Sequence, residues 1–169
     1  MDLHTFIQDP SAEDLASDAQ RAMYEYWQTA RNDSQLAPKS TLDPVELPRQ
    51  CLPLLAVLEP LEGNDFRIRI VGTGVRSSIG RDITGQLVSQ IKGAEDFLDC
   101  LRQCCGKEST YYAGGPASWA SGRQEFFTSL MLPFGSPGHI ERILIVFKFT
   151  HHMPASPRKS PPQVSVQQA

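Results

Sequence analysis

The sequence lacks any apolar run long enough to cross a membrane, and runs such as ILIVF at residues 143–147 have the length of a strand. Its N-terminus also lacks the basic segment and the long apolar stretch of a signal peptide. The 16 lysines and arginines do not outnumber the 19 acidic residues, so no overall positive charge favours nucleic acid. These absences predict a cytoplasmic protein that binds neither a membrane nor nucleic acid.

Metal-binding and catalytic patterns are missing as well. The four cysteines form no Cys-x-x-Cys pair, and Cys100 with Cys104 would supply only two of the four ligands of a structural zinc site. Without a secretion signal, buried free thiols are expected. The segment SWASG at residues 118–122 resembles a nucleophile elbow poorly, because its first glycine is replaced by serine. The sequence therefore predicts no metal site, no catalytic residue and no enzymatic activity.

A glycine-containing segment at residues 66–85, FRIRIVGTGVRSSIGRDITG, is a candidate nucleotide site. Gly72 and Gly74 fit the start of a dinucleotide fingerprint, but Ser77 stands where its third glycine is needed. A P-loop requires lysine and then serine or threonine after its last glycine, whereas arginine and aspartate follow Gly80. The glycines are therefore expected to serve turns rather than to hold phosphate.

Three parts of the chain differ in composition. Residues 1–40 contain an amphipathic helix over residues 11–31, opened by a capping box of Ser11 and Asp14, and a linker of turn-forming residues. Residues 41–152 carry the strands of the main domain. Residues 153–169 are rich in proline, serine and glutamine, which predicts a disordered tail.

The main domain is predicted to be α+β. Strands are expected at residues 54–59 and 66–71, followed by a helical region that ends near residue 106 and by three further strands. In the second strand Phe66, Ile68 and Ile70 alternate with polar residues, as in a half-buried strand. The expected architecture is a five-stranded antiparallel sheet with helices on one face, together with the N-terminal helix.

Several motifs of this domain resemble those of a family of small stand-alone bacterial PAS-like proteins, mostly alphaproteobacterial. The resemblance covers about residues 40–150 and implies a PAS fold, in which the first strand lies between the second and the last. It also implies a sensory function that passes on its signal through association. The motifs are Leu47-Pro48 and Leu52-Pro53, Phe66-Arg67-Ile68-Arg69, Gly72-Thr73, GRDITG at residues 80–85 with isoleucine in place of the family's leucine, and LPF at residues 132–134.

A PAS fold implies a cup between the sheet and its helices, where a small molecule can bind. Haem-binding members have a histidine on or near the long helix, and this helix has none. The cysteine motif of the flavin-binding members is also absent, so the cofactor stays unidentified. A cavity of about 300 Å³ or more would favour ligand binding, whereas a filled core would favour a ligand-free protein-interaction adaptor. A small enzyme of similar shape is the third alternative. The predicted ligand-binding residues are Ile68, Ile70, Thr73, Ile79, Arg81, Ile83, Phe97, Leu101 and Phe147.

The outer face of the predicted sheet carries apolar residues that are expected to be buried. Leu144 and Val146 alternate with the core residues of the last strand, and the N-terminal helix carries Met23, Tyr26 and Trp27 on its apolar stripe. Apolar patches of this kind are usually buried in soluble proteins. We therefore expect these five residues to form an interface, either in a homodimer or between the helix and the sheet of one chain. An unidentified protein partner is expected in addition.

Overall fold

The computed structural model describes residues 3–120 and 126–152, which form a six-stranded antiparallel sheet with helices on both faces. Short 3₁₀ turns occur at Ala12–Asp14, Lys39–Thr41, Arg49–Leu54 and Val88–Gln90. The strands are β1 (Thr5–Gln8), β2 (Leu55–Leu61), β3 (Asp65–Val71), β4 (Tyr111–Pro116), β5 (Phe126–Ser136) and β6 (His139–Thr150), and the helices are α1 (Asp18–Arg31), α2 (Thr73–Ile79) and α3 (Glu95–Lys107).

The strand order is β1-β4-β5-β6-β2-β3. Val57 of β2 pairs with Ile70 of β3 on one side and with Leu144 of β6 on the other. The first predicted strand therefore lies between the second and the last, and the predicted α+β, PAS-like architecture is confirmed. The tight turn Pro137-Gly138 joins β5 to β6, where a hairpin was expected.

The sheet has one strand more than predicted. Residues Thr5–Gln8 form β1, which pairs with β4 at the edge opposite β3, with Phe6 beside Ala113. A four-residue segment with adjacent Phe6 and Ile7 has too little alternation to be recognised as a strand. Its strand conformation comes from pairing with β4, which no local pattern encodes.

The N-terminal helix begins later than predicted. Ser11 and Asp14 do form the predicted capping box, but it closes only the single turn Ala12–Asp14. The chain then extends through Leu15, and α1 starts at Asp18 with the Ser17 hydroxyl accepting a hydrogen bond from Gln20 N at 3.1 Å. The sequence has two N-cap residues close together, Ser11 and Ser17, and the helix starts at the second rather than at the predicted first.

Two apolar cores lie on opposite faces of the sheet. The inner core joins the sheet to α2 and α3, with Ile79 and Leu101 among its buried residues. The outer core joins the sheet to α1 and the segment before β2, with Trp27 and Cys51 among its members. Strand residues alternate between these cores, so central strands such as β6 are apolar on both sides.

A β-bulge in β3 reverses one predicted orientation. Val57 pairs with Ile70 whereas Leu58 pairs with Ile68, so Arg69 is an extra residue in β3. The side chain of Ile70 therefore lies on the outer face, where it is 46% exposed. Its assignment to the inner wall of the cup is wrong for this reason.

In the described ranges, no helix is both long and apolar enough to span a bilayer. The tail at residues 153–169, predicted to be disordered, lies outside the described residues.

Candidate functional site

The cup lies between the inner face of the sheet and the segment from α2 to α3. Its remaining cavity has a volume of about 40 Å³. This volume holds no more than about three water molecules, and an apolar cavity of that size stays dry. The lining side chains are all apolar: Ala56, Leu58, Ile68, Val75, Ile79, Ile83, Val88, Ile91, Ala94, Phe97, Trp119, Ile145 and Phe147.

Five of the nine predicted ligand-binding residues line this cavity: Ile68, Ile79, Ile83, Phe97 and Phe147. They converge because the inward face of each strand and helix follows the periodicity from which they were chosen.

The other four lie elsewhere. Leu101 is fully buried in the inner core but does not border the cavity, and Ile70 lies on the outer face. Thr73 is exposed at the first position of α2, where its carbonyl accepts a hydrogen bond from the Ser77 hydroxyl at 3.0 Å. Arg81 is exposed in the loop after α2. These placements remove Ile70, Thr73 and Arg81 from the wall of the cup.

Aromatic rings fill the part of the cup near β5 and β6. Phe97 of α3 stacks on Phe147 with 5.9 Å between ring centroids. Trp119, which was missed as a wall residue, packs against Phe127 at 5.2 Å and against Phe147 at 5.7 Å. It follows β4 in a turn without periodicity, so only its size and apolar character pointed to the core. These packed rings account for the small cavity.

The glycine motifs have structural roles. A Cβ on Gly72 would lie 2.4 Å from the carbonyl oxygen of Leu52, so the start of α2 can pass this close to the segment before β2 only as glycine. Gly80 ends α2 in the left-handed conformation, with φ of 86°. Asp82 accepts hydrogen bonds from the backbone and hydroxyl of Thr84, which hold the pKa of its carboxyl below the usual value. The GRDITG motif thus shapes the turn between α2 and the rest of the cup wall.

The four cysteine thiols lie in environments that disfavour the reactive thiolate form. Burial raises the pKa of Cys51 to about 11 and those of Cys100 and Cys105 to about 12, and it raises the pKa of Cys104 well above its usual value. Thiolates are therefore scarce near neutral pH. Across residues 3–120 and 126–152, no cluster of three His, Cys, Asp or Glu side chains could hold a metal ion.

The predicted interface residues meet within one chain. Met23 and Trp27 of α1 are buried against the outer face, which includes the fully buried Leu144 and Val146. The Trp27 indole nitrogen donates a hydrogen bond to Pro133 O at 2.8 Å. Tyr26 lies at the side of this contact, is half-buried, and donates its hydroxyl to the carbonyl of Thr41. The helix therefore covers its own sheet, one of the two arrangements expected.

Comparison with known proteins identifies the family. A family model described as a PAS domain matches residues 15–146, which include α1, β2 to β5, β6 up to Val146 and every cup-lining residue except Phe147. No curated protein matches the chain. The chain belongs to the PAS domain family.

Proposed function

We propose that this chain is a sensory or signalling module that acts through association with a protein partner, with a cup filled by its own side chains. Membership of the PAS family supports a sensory or signalling role in general. The observation that carries the finer proposal is the cavity of about 40 Å³. It is far smaller than the roughly 300 Å³ at which small-molecule sites begin.

The chemistry of the cup supports the same proposal. Small-molecule sites combine apolar walls with a few polar groups that orient the ligand. Every residue that lines this cavity is apolar, and its only hydrogen-bonding side-chain group is the indole of Trp119. Two of the functions considered from the sequence are ligand binding in the cup and action as a ligand-free adaptor. The small, apolar cavity supports the adaptor better than ligand binding. The adaptor involves no catalytic step.

Native mass spectrometry of freshly purified protein tests this proposal. We expect no small molecule bound in the cup, so the natural chain and a variant with a blocked cup should differ in mass only by the substitution. Ala94, which is 4% exposed beside the cavity, offers a matched variant, because Ala94→Phe would block any ligand in the cup. Ala12→Phe adds the same bulk at an exposed position and serves as the control. A stoichiometric small molecule that copurifies with the natural chain and with Ala12→Phe, but not with folded Ala94→Phe, would contradict the proposal.

The homodimer stays a prediction. Leu144 and Val146 are covered by α1 of the same chain, so a dimer of chains folded in this way would use another surface. Exchange of α1 between two chains would give the same contacts in a swapped dimer. Light scattering coupled to size-exclusion chromatography distinguishes a monomer from either dimer by mass.

A further inference from the structure

The outer face of the sheet carries a second concavity, here called the outer groove, with a volume of about 420 Å³. Its floor consists of Leu55 and Val57 of β2, each 4% exposed, and Ile70 of β3 forms one side. The segment before β2 forms the opposite side. The complete lining is Lys39, Leu42, Pro44, Leu47, Leu52, Leu55, Val57, Arg69, Ile70 and Arg142.

The charge of the outer groove has one sign. Three of its ten lining residues are cationic, seven are apolar, and none is acidic, although the whole chain has a net charge of −3. Arg69 is held by Glu59, with 2.7 Å between Nε and the carboxylate oxygen. Within the described ranges, neither Lys39 nor Arg142 forms an ion pair with a carboxylate. The groove therefore offers two cations, which form no ion pair with any described residue, beside an apolar floor.

The β-bulge in β3 contributes to this arrangement. It turns Ile70 to the outer face and leaves the side chain 46% exposed, among the largest exposures of any apolar residue described. Without the bulge, regular alternation along β3 would place Ile70 on the same face as Phe66 and Ile68, in the inner core. Bulges commonly re-aim side chains beside binding sites. The exposed isoleucine thus completes an apolar wall that α1 does not cover.

We propose that the outer groove binds a medium-chain aliphatic carboxylate. The chain of such a ligand would lie on Leu55, Val57 and Ile70, and its carboxylate would contact Arg142 or Lys39. The volume lies within the range of roughly 300–1,000 Å³ typical of small-molecule sites. Guanidinium groups bind carboxylates through short charge-assisted hydrogen bonds. This site lies on the opposite side of the sheet from the cup, so the proposal does not depend on the cup being filled.

The positive charge of the outer groove also favours some possible occupants over others. The tail beyond residue 152 carries Arg158 and Lys159 and no acidic residue, so it has the wrong charge for this groove. A peptide with leucine and glutamate side chains would match the charge. However, a single groove of this size suits one compact ligand, whereas helical peptides use a series of pockets along a longer groove.

Titration of the full chain with decanoate, followed by amide NMR shifts and calorimetry, tests the site. We expect saturable binding with shifts centred on Ile70 and Arg142, and weaker binding of decanol, which lacks the charge. Ile70→Glu and Arg142→Glu should each weaken decanoate binding by about tenfold or more, because both place a carboxylate in the groove. Arg81→Glu makes the same charge reversal at an exposed position outside the groove and should bind as the natural chain does.

The Ala94→Phe variant distinguishes the groove from the cup, because it blocks the cup and should leave decanoate binding unchanged. Circular dichroism checks that each variant is folded. If one of the two groove variants is not, Lys39→Glu, at an exposed position, serves in its place. The proposal is overturned if decanoate does not saturate, if folded groove variants bind it equally well, or if only Ala94→Phe loses binding. Binding of a leucine- and glutamate-containing peptide without binding of decanoate would also overturn it.

Discussion

Gly72 is a residue where the surrounding backbone leaves no room for a side chain. Its amide donates to Leu55 O at 2.8 Å, and an added Cβ would lie 2.4 Å from Leu52 O and 2.5 Å from Pro53 O. Its φ is −65°, so alanine would bring no dihedral strain and the cost is steric alone. Because backbone atoms must move, we expect Gly72→Ala to lower the free energy of unfolding by about 3 kcal/mol. Urea titration measures this change.

Gly106 supplies the matched control for that substitution. It lies in α3 with no atom within 4 Å of an added Cβ. Gly106→Ala should therefore raise stability by up to about 1 kcal/mol, because alanine favours the helical conformation. Equal effects of the two substitutions would show that the close approach at Gly72 is not what constrains it.

Gln20 is a buried polar link between α1 and the sheet. Its side-chain amide donates to Thr128 Oγ1 and to Val146 O, both at 3.1 Å, and its carbonyl accepts from Ala16 N at 3.2 Å. Gln20→Ala removes these hydrogen bonds at a position that is fully buried. We expect a loss of about 2 kcal/mol in the free energy of unfolding. Gln28→Ala, in which the lost hydrogen bonds link only side chains within α1, should cost less than about 0.5 kcal/mol.

The thiols give a prediction with a defined pH dependence. Unfolded thiols ionise near pH 8.5, whereas burial raises the pKa of Cys51 to about 11 and that of Cys100 to about 12. The stability from keeping these thiols neutral is therefore complete below about pH 8.5 and is lost as the pH rises towards 11–12. At pH 8 iodoacetamide should label the native chain slowly and all four cysteines after unfolding in urea. Mass spectrometry counts the added groups, and rapid labelling of Cys100 in the native chain would contradict the burial.

At the scale of elements, strong periodicity was sufficient for most of the fold. β2 and β3 lie close to their predicted positions, α3 ends close to the predicted end of the helical region, and three strands follow it, because long alternating or helical patterns specify these elements. Two departures, β1 and the bulge in β3, depend on pairing across the sheet, whereas the later start of α1 follows from the second N-cap residue, Ser17. β1 is a strand because β4 accepts it, and the bulge at Arg69 appears only when β3 is aligned with β2. The displacement of Ile70 from the predicted cup to the outer groove follows from that single extra residue.

In the whole molecule, the cup and the outer groove lie on opposite faces of one sheet. The sequence identified the walls of the cup, since five predicted residues line it, but not how completely they fill it. Cavity volume depends on the mutual packing of rings such as Phe97, Trp119 and Phe147, which come from distant parts of the chain. The outer groove was not predicted, because it forms only where the segment before β2 passes the bulged edge of the sheet.

Removal of residues 1–35 tests how the outer face is covered in the whole molecule. In the full chain, α1 lies over an apolar surface that includes Leu130, Leu144 and Val146, all fully buried. Truncation would expose this surface, and contiguous apolar patches of this kind cause association. We therefore expect the truncated chain to have a larger mass by light scattering than one copy of it would give, or to precipitate. Leu36 and Ala37, which are buried beside Phe134 and Gly135, stay in the truncated chain and keep the linker attached to β5. A truncated chain that stays soluble with the mass of a single copy would show that α1 is not needed to cover the sheet.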